Sequence, residues 1–296
     1  MYTSRRSDPS IAYGPTDFIS TVWKIDTTFA GTDQQDSHEF LMFMLNCMHN
    51  HHTQELTLAN GVDEKNCKCL AHQVFGGESQ SEIKCIGCGN VNRKVELMFD
   101  IGLQIRGKSK VSLLAGATNG KNGSSKPSPI SPSSSAGSSD IGDTSSGQTL
   151  QDCLDKYTAP EHLDQNQYRC SNCSTSKGAT KQMSIKVLPN VLCLQFKRFD
   201  GRLAKVDEHV RFPPILDMAP YTSHGVAKTP DKRDCTYDLF AVVSHIGANI
   251  HKGHYINFAK FNGEWFEFND HIVEWVSQEQ VLRSKAFFPS LFLANE

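Results

Sequence analysis

Two Cys-x-x-Cys pairs, Cys85-Ile-Gly-Cys88 and Cys170-Ser-Asn-Cys173, place the strongest constraint on how this chain can fold. Each pair offers two thiolates with the spacing of a zinc knuckle, and four thiolates complete a tetrahedral structural site. Neither pair follows a strand and opens a helix, as a thioredoxin-like redox motif does. The sequence therefore predicts one zinc site that joins two distant segments; two unrelated cysteine pairs are the alternative.

The segment between the two pairs has a different composition from the rest of the chain. From Gly107 to Gly147 it is rich in Ser, Gly, Lys and Pro. Such a stretch buries too little apolar surface to offset the entropy lost on ordering, so we predict a disordered insertion at 107–147. Because the predicted zinc site uses cysteines from both sides, the parts 1–106 and 148–296 are expected to form one domain, spanning 1–296.

Bulk properties exclude several classes of protein. The chain has 296 residues and a formal net charge of −2, so no general basic field indicates nucleic-acid binding. No apolar run approaches the ~18 residues that span a bilayer, and we expect no membrane association. Ten cysteines follow a polar N-terminus, Met1–Ser10, without the apolar core of a secretory signal. Thiols and metal in a reducing compartment, nucleus or cytoplasm, are therefore expected instead of disulfides.

Local patterns predict an α+β chain, with helices in the N-terminal half and strands in the C-terminal half. One helix is expected from Asp33 to Asn50, capped by Thr32 or Asp33, and a shorter one from Leu150 to Tyr157. Alternating or continuous apolar runs predict strands. These runs are 184–188, 191–196, 237–245, 253–261 and 264–268.

A second group of metal-ligating side chains is less regular. Two thiolates, Cys67 and Cys69, lie close in sequence to His72, and His49 lies in the predicted helix. Two thiolates and two imidazoles suit zinc. His51 and His52 compete with His49 as the first ligand. The alternative is a set of surface histidines beside two free cysteines.

The C-terminal part contains a candidate general base. His254 stands between Gly253 and Tyr255, and Asn269 follows after a predicted Asn-Gly turn. An amide beside an imidazole fixes the tautomer and orientation that a general base needs. From these residues alone, a half-buried histidine in an ordinary hairpin is the alternative, and His245 is a second candidate base.

Four segments in order resemble the ubiquitin-specific protease family of papain-like deubiquitinases, from about residue 15 to 293. They are Gln34-Gln-Asp-Ser-His-Glu-Phe40, Leu188-Pro-Asn-Val-Leu-Cys-Leu-Gln-Phe-Lys-Arg-Phe199, Gly253-His-Tyr255 and Trp265-Phe-Glu-Phe-Asn-Asp270. The resemblance implies a fold with thumb, zinc fingers and palm. It also implies cysteine-type hydrolysis of the isopeptide bond between ubiquitin and a protein lysine.

One subfamily is more similar than the rest. The His49, Cys67, Cys69 and His72 group resembles an extra zinc site in the deubiquitinases of the SAGA coactivator, and Phe268-Asn269-Asp270 is similar to the fungal form. This resemblance implies a nuclear enzyme acting on monoubiquitinated histone, with subunits of a SAGA-like module as partners. Zinc is the implied cofactor, and specific nucleic-acid binding is not expected.

The resemblance also implies roles for individual residues. His254 would be the general base, Asn269 the third member of the triad, and Asp270 an additional orienting group. Asp36 and Glu39 would face the arginine-bearing tail of ubiquitin. Complementing the helix dipole is the alternative role for these two carboxylates, and both can hold together. Tyr237 would pack near the channel for that tail.

The family's nucleophile lies in a Gly-x-x-Asn-x-Gly-Asn-Thr-Cys box upstream of the Gln34 segment. This box is not found between Met1 and Gln34, so we expect an N-terminally truncated catalytic domain whose nucleophile precedes Met1 and which does not hydrolyse ubiquitin conjugates by itself. None of the remaining cysteines has the expected setting of a reactive thiol. They are Cys47, Cys153, Cys193 and Cys235. A non-catalytic ubiquitin-binding remnant and a zinc-stabilised interaction module are the alternatives.

Overall fold

The computed structural model describes residues 14–57, 67–105, 147–174, 177–198, 205–229, 234–249 and 252–293. The insertion predicted at 107–147 lies outside these ranges, except for Gly147. Within them, no helix combines the length and the apolar character that a membrane crossing requires.

The described ranges contain six α-helices, two 3-10 turns and twelve strands. The helices are α1 (Thr16–Ile25), α2 (Ser37–Thr57), α3 (Leu70–Phe75), α4 (Leu150–Thr158), α5 (Ser223–Val226) and α6 (Gln278–Arg283), with 3-10 turns at Thr27–Phe29 and Ala219–Tyr221. The first strands are β1 (Gly77–Cys85), β2 (Val91–Met98), β3 (Ile101–Gln104), β4 (Glu161–Leu163), β5 (Ala179–Val187) and β6 (Val191–Lys197). The others are β7 (Ile215–Asp217), β8 (Thr236–Asn249), β9 (Lys252–Phe261), β10 (Glu264–Asn269), β11 (Ile272–Val276) and β12 (Ala286–Leu293).

The strands form two sheets, and each sheet takes strands from both sides of the 107–147 segment. The smaller has the order β2-β1-β5-β4, and β1 pairs antiparallel with β5. The larger has the order β11-β10-β9-β8-β12-β6-β3, with β7 paired to β8. Its parallel pair, β3 with β6, again joins the two parts of the chain. The mixed α+β fold is as predicted.

Helix α2 begins later than the capping pattern suggested. Asp36, and not Thr32 or Asp33, caps it: Asp36 Oδ1 accepts hydrogen bonds from the backbone amides of His38 (2.7 Å) and Glu39 (3.4 Å). Several polar residues in this segment have the capping chemistry, so the pattern alone did not fix which one ends the extended chain. The carboxylate at the cap also complements the positive end of the helix dipole.

The predicted helical N-terminal half is wrong in one respect, because β1, β2 and β3 all precede the 107–147 segment. In β2, Asn92 to Leu97 are all exposed, so this strand has no buried face that would produce apolar alternation. Strand β2 is held in the sheet by eight consecutive residue pairs with β1.

The main core lies between the larger sheet and helices α4 and α6. Leu150 and Leu154 of α4 and Val281 of α6 pack against strand residues such as Leu103, Leu194 and Val242, all of them buried. Burial of such side chains contributes about 1.5–3 kcal/mol each.

Strand β12 contains Pro289, whose nitrogen has no proton to donate to a strand ladder. Pro289 is paired with Val242 of β8, between two register shifts, while pairing with β6 starts only at Ser290. The proline therefore lies at an irregular part of the ladder, where a missing amide proton is tolerated.

Candidate active site and metal centres

The hairpin of β9 and β10 places the candidate base beside its partner. Asn262 and Gly263, which join the strands, both have positive φ, 50° and 85°, as a type I′ turn requires. The turn sets the register Phe261 opposite Glu264, and this pairing continues to Asn257 opposite Phe268. Asn269, the last residue of β10, thereby reaches the strand segment that carries His254.

The side chains of His254 and Asn269 form a close pair. His254 Nε2 lies 2.7 Å from Asn269 Oδ1. Because an amide oxygen only accepts, Nε2 carries the proton and donates it, which leaves Nδ1 as the basic nitrogen. The imidazole is 43% exposed, so a substrate can reach it. This arrangement has the geometry of a general base with a fixed tautomer.

Asp270 is a weaker partner of the same imidazole. Its Oδ2 lies 3.9 Å from His254 Nε2, and its side chain is 76% exposed. Asp270 stands in the turn between β10 and β11 with a positive φ of 52°. It adds negative charge near the imidazole but does not hydrogen-bond to it at this distance.

His245, the second candidate base, is buried beneath the strand that carries His254. Its ring packs against Tyr255 (centroids 4.9 Å apart) and is 4% exposed. Burial, together with the charge of Lys205, lowers its pKa below the ordinary histidine value. A neutral imidazole with so little exposed surface has a packing role, which leaves His254 as the candidate base.

The N-terminus of α2 lies against the same strand pair. The Tyr255 hydroxyl is 3.5 Å from the backbone nitrogen of Ser37, the first residue of α2. Burial, with the charges of Asp36 and Glu39, raises the Tyr255 pKa. The predicted ubiquitin-contacting carboxylates thus lie near Tyr255, the residue that follows the candidate base, with Glu39 exposed and Asp36 half-buried.

Tyr237, the third predicted ubiquitin-binding residue, lies in the core. It is fully buried in the core, and its hydroxyl donates a 2.6 Å hydrogen bond to Pro189 O. Burial raises its pKa. A contact between Tyr237 and ubiquitin stays a prediction, and the buried side chain gives it no support.

The four cysteines of the two knuckles converge at the tip of the smaller sheet. Their sulfur atoms lie within 4.8 Å of one another, with Cys85–Cys173 at 3.8 Å and Cys88–Cys170 at 3.7 Å. Four thiolates around zinc at ~2.3 Å are about 3.8 Å apart, so the group fits the ion.

The two knuckles have the same type of backbone turn. Gly89 N donates to Cys85 O and Ser174 N donates to Cys170 O, both at 2.9 Å, and the donor residue has positive φ in each case (73° and 52°). Such a turn points amides at the first sulfur of the pair. The backbone N–H of Cys173, followed by that of Asn172, lowers the pKa of the Cys170 thiol, which favours the thiolate that a metal binds.

The second predicted group also converges, between α2 and α3. His49 Nδ1 lies 3.5 Å from Cys67 Sγ and 3.7 Å from Cys69 Sγ, while His72 Nδ1 is 3.0 Å from Cys69 Sγ. Two of these distances match the ~3.5 Å between N and S ligands of a tetrahedral zinc ion, and the third is shorter. His49 is the candidate ligand from the helix, since neither His51 nor His52 belongs to the group.

The remaining cysteines are not placed as reactive thiols. Cys153, Cys193 and Cys235 are buried. Cys47 is half-buried, and desolvation together with Asp26 raises its pKa, the opposite of activation.

Two residues near the site had no role predicted from the sequence. Lys205 Nζ donates to the carbonyls of His245 and Gly247, both at 2.8 Å, and His38 Nε2 pairs with Asp100 Oδ2 at 3.1 Å. Both interactions join segments far apart in the chain, and a buried lysine has no local sequence pattern.

Comparison with known proteins identifies relatives. The family model described as ubiquitin carboxyl-terminal hydrolase matches residues 1–288. Ubiquitin carboxyl-terminal hydrolase 8 of Saccharomyces cerevisiae is 33% identical over 285 residues, covering 91% of this chain and 51% of that protein. Human ubiquitin carboxyl-terminal hydrolase 22 is 32% identical over a 318-residue alignment, covering 100% of this chain and 56% of that protein.

Solved structures give the same result. The SAGA DUB module of Ubp8, Sgf11, Sus1 and Sgf73 bound to monoubiquitin matches with a TM-score of 0.70 and 31% identity, over 94% of this chain and 52% of that one. The same module bound to ubiquitin aldehyde matches with a TM-score of 0.70. This chain spans about half the length of the relatives it matches. The family predicted from the motifs is thereby confirmed, and the chain belongs to the ubiquitin carboxyl-terminal hydrolases, with their papain-like fold.

Proposed function

We propose that this chain forms the base-bearing and ubiquitin-binding part of a thiol-dependent deubiquitinase, which cleaves the isopeptide bond between ubiquitin and a protein lysine. The observation that supports it most is the 2.7 Å pair of His254, whose imidazole is partly exposed, with Asn269, on a hairpin whose Tyr255 contacts the acidic N-terminus of α2. Family membership supports the type of reaction, and the His254–Asn269 pair identifies the residues proposed to carry it out.

In the proposed mechanism, His254 Nδ1 takes the proton of a cysteine thiol. Asn269 holds the opposite ring nitrogen, so the imidazole stays in the tautomer that can accept this proton. The thiolate attacks the carbonyl carbon of the isopeptide bond, the imidazolium returns the proton to the leaving lysine amine, and water then hydrolyses the thioester. Since the other four cysteines are buried or half-buried, we propose that the thiol comes from outside the described residues.

Asp36 and Glu39 are the proposed contacts for the ubiquitin tail. Glu39 is exposed on the first turn of α2, and Asp36 is the cap before it. Carboxylates form strong charge-assisted hydrogen bonds with arginine, and ubiquitin's tail carries arginine. Asp36 Oδ1 is already engaged in capping α2, so the Glu39 carboxylate is the more available of the two for binding the ubiquitin tail.

Two structural zinc ions are proposed for the groups described above. One would be held by Cys85, Cys88, Cys170 and Cys173, and the other by His49, Cys67, Cys69 and His72. Bound zinc would fix the end of the smaller sheet and the junction of α2 with α3. Neither group includes a residue of the proposed chemistry, so we propose that the metal acts through folding.

A nuclear, SAGA-like setting is proposed from the relatives. The matched structures contain Ubp8 with Sgf11, Sus1 and Sgf73, one of them bound to monoubiquitin. We propose that this chain acts within an equivalent module on a monoubiquitinated histone. Co-purification of the tagged chain with subunits of such a module would test this, and a chain recovered alone under the same conditions would contradict it.

Hydrolysis of a ubiquitin–fluorophore conjugate tests the enzyme proposal. The natural protein that contains this chain is expected to turn over the conjugate, and His254→Ala is expected to lower kcat by ~10²-fold or more. Residues 1–296 alone are expected to be inactive. Turnover by 1–296 that is lost on mutating Cys47, Cys153, Cys193 or Cys235 would contradict the assignment of the thiol.

Binding separates the enzyme from a non-catalytic ubiquitin-binding protein. Titration of isotopically labelled ubiquitin with residues 1–296 is expected to shift resonances of the ubiquitin tail, and less so with Glu39→Gln. Binding by a natural protein that never hydrolyses the conjugate would support the non-catalytic alternative. Absence of any shift would contradict both.

A further inference from the structure

Strand β8 has a bulge directly across from the residue that precedes the base. Ile246 pairs with His254, and the next pair is Asn249 with Lys252. Two residues of β8, 247 and 248, therefore face the single residue Gly253 of β9. A bulge interrupts the ladder and re-aims neighbouring side chains, so its backbone groups need other partners.

Lys205 supplies partners to this bulge. Its ammonium donates to the carbonyls of His245 and Gly247, both at 2.8 Å, and is 3.5 Å from Asp207. The Lys205 side chain is 4% exposed. Burial lowers the Lys205 pKa, and the negative charge of Asp207 opposes that shift and favours the ammonium. The ammonium thus binds two carbonyls of the bulge and faces the carboxylate of Asp207.

The strands approach too closely at this point for any side chain. A Cβ added to Gly253 would lie 2.0 Å from His245 Nε2, and one added to Gly247 would lie 2.4 Å from Lys252 O. The buried His245 ring therefore fills the space under Gly253. Because His254 follows Gly253 directly, the packing of the His245 ring against Gly253 helps to determine where His254 lies.

Arg198 holds the segment that carries Lys205. Val206 N donates to Arg198 O at 2.6 Å. In return, Arg198 Nη1 donates to Val206 O and Glu208 O, at 3.0 and 2.7 Å. Arg198 itself is 1% exposed. The backbone that carries Lys205 is consequently held in place, so the buried Lys205 side chain can bind β8 in a defined position.

We propose that Lys205 is a positioning residue for His254: by binding the carbonyls of the bulge, it holds β8 and β9 at the spacing that keeps the imidazole hydrogen-bonded to Asn269. The expected effect on catalysis rests on the proposed deubiquitinase activity. The expected effect on the His254 imidazole does not depend on that activity, because it is measured without substrate.

The test compares Lys205→Met with Lys285→Met in residues 1–296. Lys285 pairs with the same carboxylate, Asp207, but its side chain is half exposed and it does not bind the bulge carbonyls, so it is a matched control. Two signals are followed by NMR: the His254 Nε2–H resonance, and amide exchange at residues 245, 246 and 254. Lys205→Met is expected to accelerate exchange at least about 10-fold and to broaden or remove the imidazole signal. Lys285→Met is expected to change exchange less than about twofold.

Unchanged imidazole and amide signals in a folded Lys205→Met protein would overturn the proposal, as would equal changes in the two variants.

If Lys205→Met does not fold, Lys205→Arg is the deciding variant. The planar guanidinium keeps the charge but cannot reproduce the ammonium geometry, so a smaller change is expected at the same signals. If Lys205→Arg changes neither signal, the proposal is overturned. In the natural protein, Lys205→Met is expected to lower kcat about 10-fold with KM unchanged. Wild-type protein without hydrolysis would refute the proposed function alone.

Discussion

Asn269, which ends strand β10, and Asp270, in the turn that follows, lie at different distances from the imidazole of His254. Asn269 is 2.7 Å from His254 Nε2, whereas Asp270 is 3.9 Å away and largely exposed. A group that fixes a tautomer must hydrogen-bond, while a charge at 3.9 Å in water contributes little. The geometry therefore favours Asn269 over Asp270 as the proposed orienting group.

We expect Asn269→Ala to lower kcat by at least about 10-fold in the natural protein, because the imidazole then loses its fixed tautomer. Asp270→Ala is expected to lower kcat by less than about threefold. Steady-state kinetics on a ubiquitin–fluorophore conjugate measures both. A larger loss with Asp270→Ala would assign the orienting role to the aspartate.

Sequence motifs predicted both members of this pair because they are local: the Asn-Gly turn sets the register that brings them together. Lys205 and the bulge were not predictable in the same way. The two carbonyls that Lys205 binds belong to a strand about forty residues later in the chain, and nothing near Lys205 in sequence indicates that it is buried.

Helix α2 is attached to the rest of the molecule by a titratable pair. His38 lies in its first turn and pairs with Asp100, just before β3. Burial alone would lower the His38 pKa, but the hydrogen bond and charge of Asp100, with Asp36 and Glu39, outweigh it and raise the pKa. Protonated His38 therefore strengthens the attachment of the helix that carries the proposed ubiquitin contacts.

This attachment is expected to weaken as pH rises. A raised histidine pKa contributes stability that is fully present below the unfolded value of ~6.5 and is lost as pH rises through the folded value. Asp100→Asn should therefore destabilise the protein by about 1 kcal/mol at pH 6 and by less at pH 8.5. Urea unfolding at the two pH values measures this. Asp164→Asn is the control, since the His162–Asp164 pair is exposed (61% and 79%) and should show no such trend.

Arg198 joins strand β6 to two other segments. Its guanidinium donates to the carbonyls of Val206, Glu208 and Ala286 from a buried position. Removing it leaves one buried and two part-buried acceptors without their donor, at about 1–3 kcal/mol each when unsatisfied. Arg198 therefore has a structural role in the Leu188–Phe199 motif, of which Phe199 lies outside the described residues.

Arg198→Met is expected to lower the free energy of unfolding by about 3 kcal/mol or more. Arg283→Met is the matched control: Arg283 pairs with Glu279 on the exposed face of α6, and its loss should cost less than about 0.5 kcal/mol. Denaturant midpoints of the two variants give the comparison. Equal midpoints would show that the three carbonyl contacts contribute little.

Elements with a buried face were predictable, and those without one were not. Strands β6, β8, β9 and β10 and helix α4 were predicted within a few residues, because apolar patterns mark their core-facing sides. Strand β2 is exposed along most of its length and gives no such pattern. Its stability comes from pairing with β1 and from the cysteine cluster at the tip, which are tertiary features.

At the scale of the whole molecule, two metal groups link parts of the chain that are separate in sequence. We expect about two zinc ions per chain by elemental analysis. Cys88→Ser should remove one ion and Cys69→Ser the other, each leaving about one. A single ion that is insensitive to Cys69→Ser would show that the group between α2 and α3 does not close around metal.

The distribution of strands between the sheets has a consequence for a cut chain. A break anywhere between residues 107 and 146 would give two fragments, each contributing strands to both sheets. The fragments would stay joined through β1 with β5, through β3 with β6, and through cysteines from both fragments around one metal. Such a protein is suited to fragment complementation: two separately produced halves would reassemble, and added zinc would control when they do.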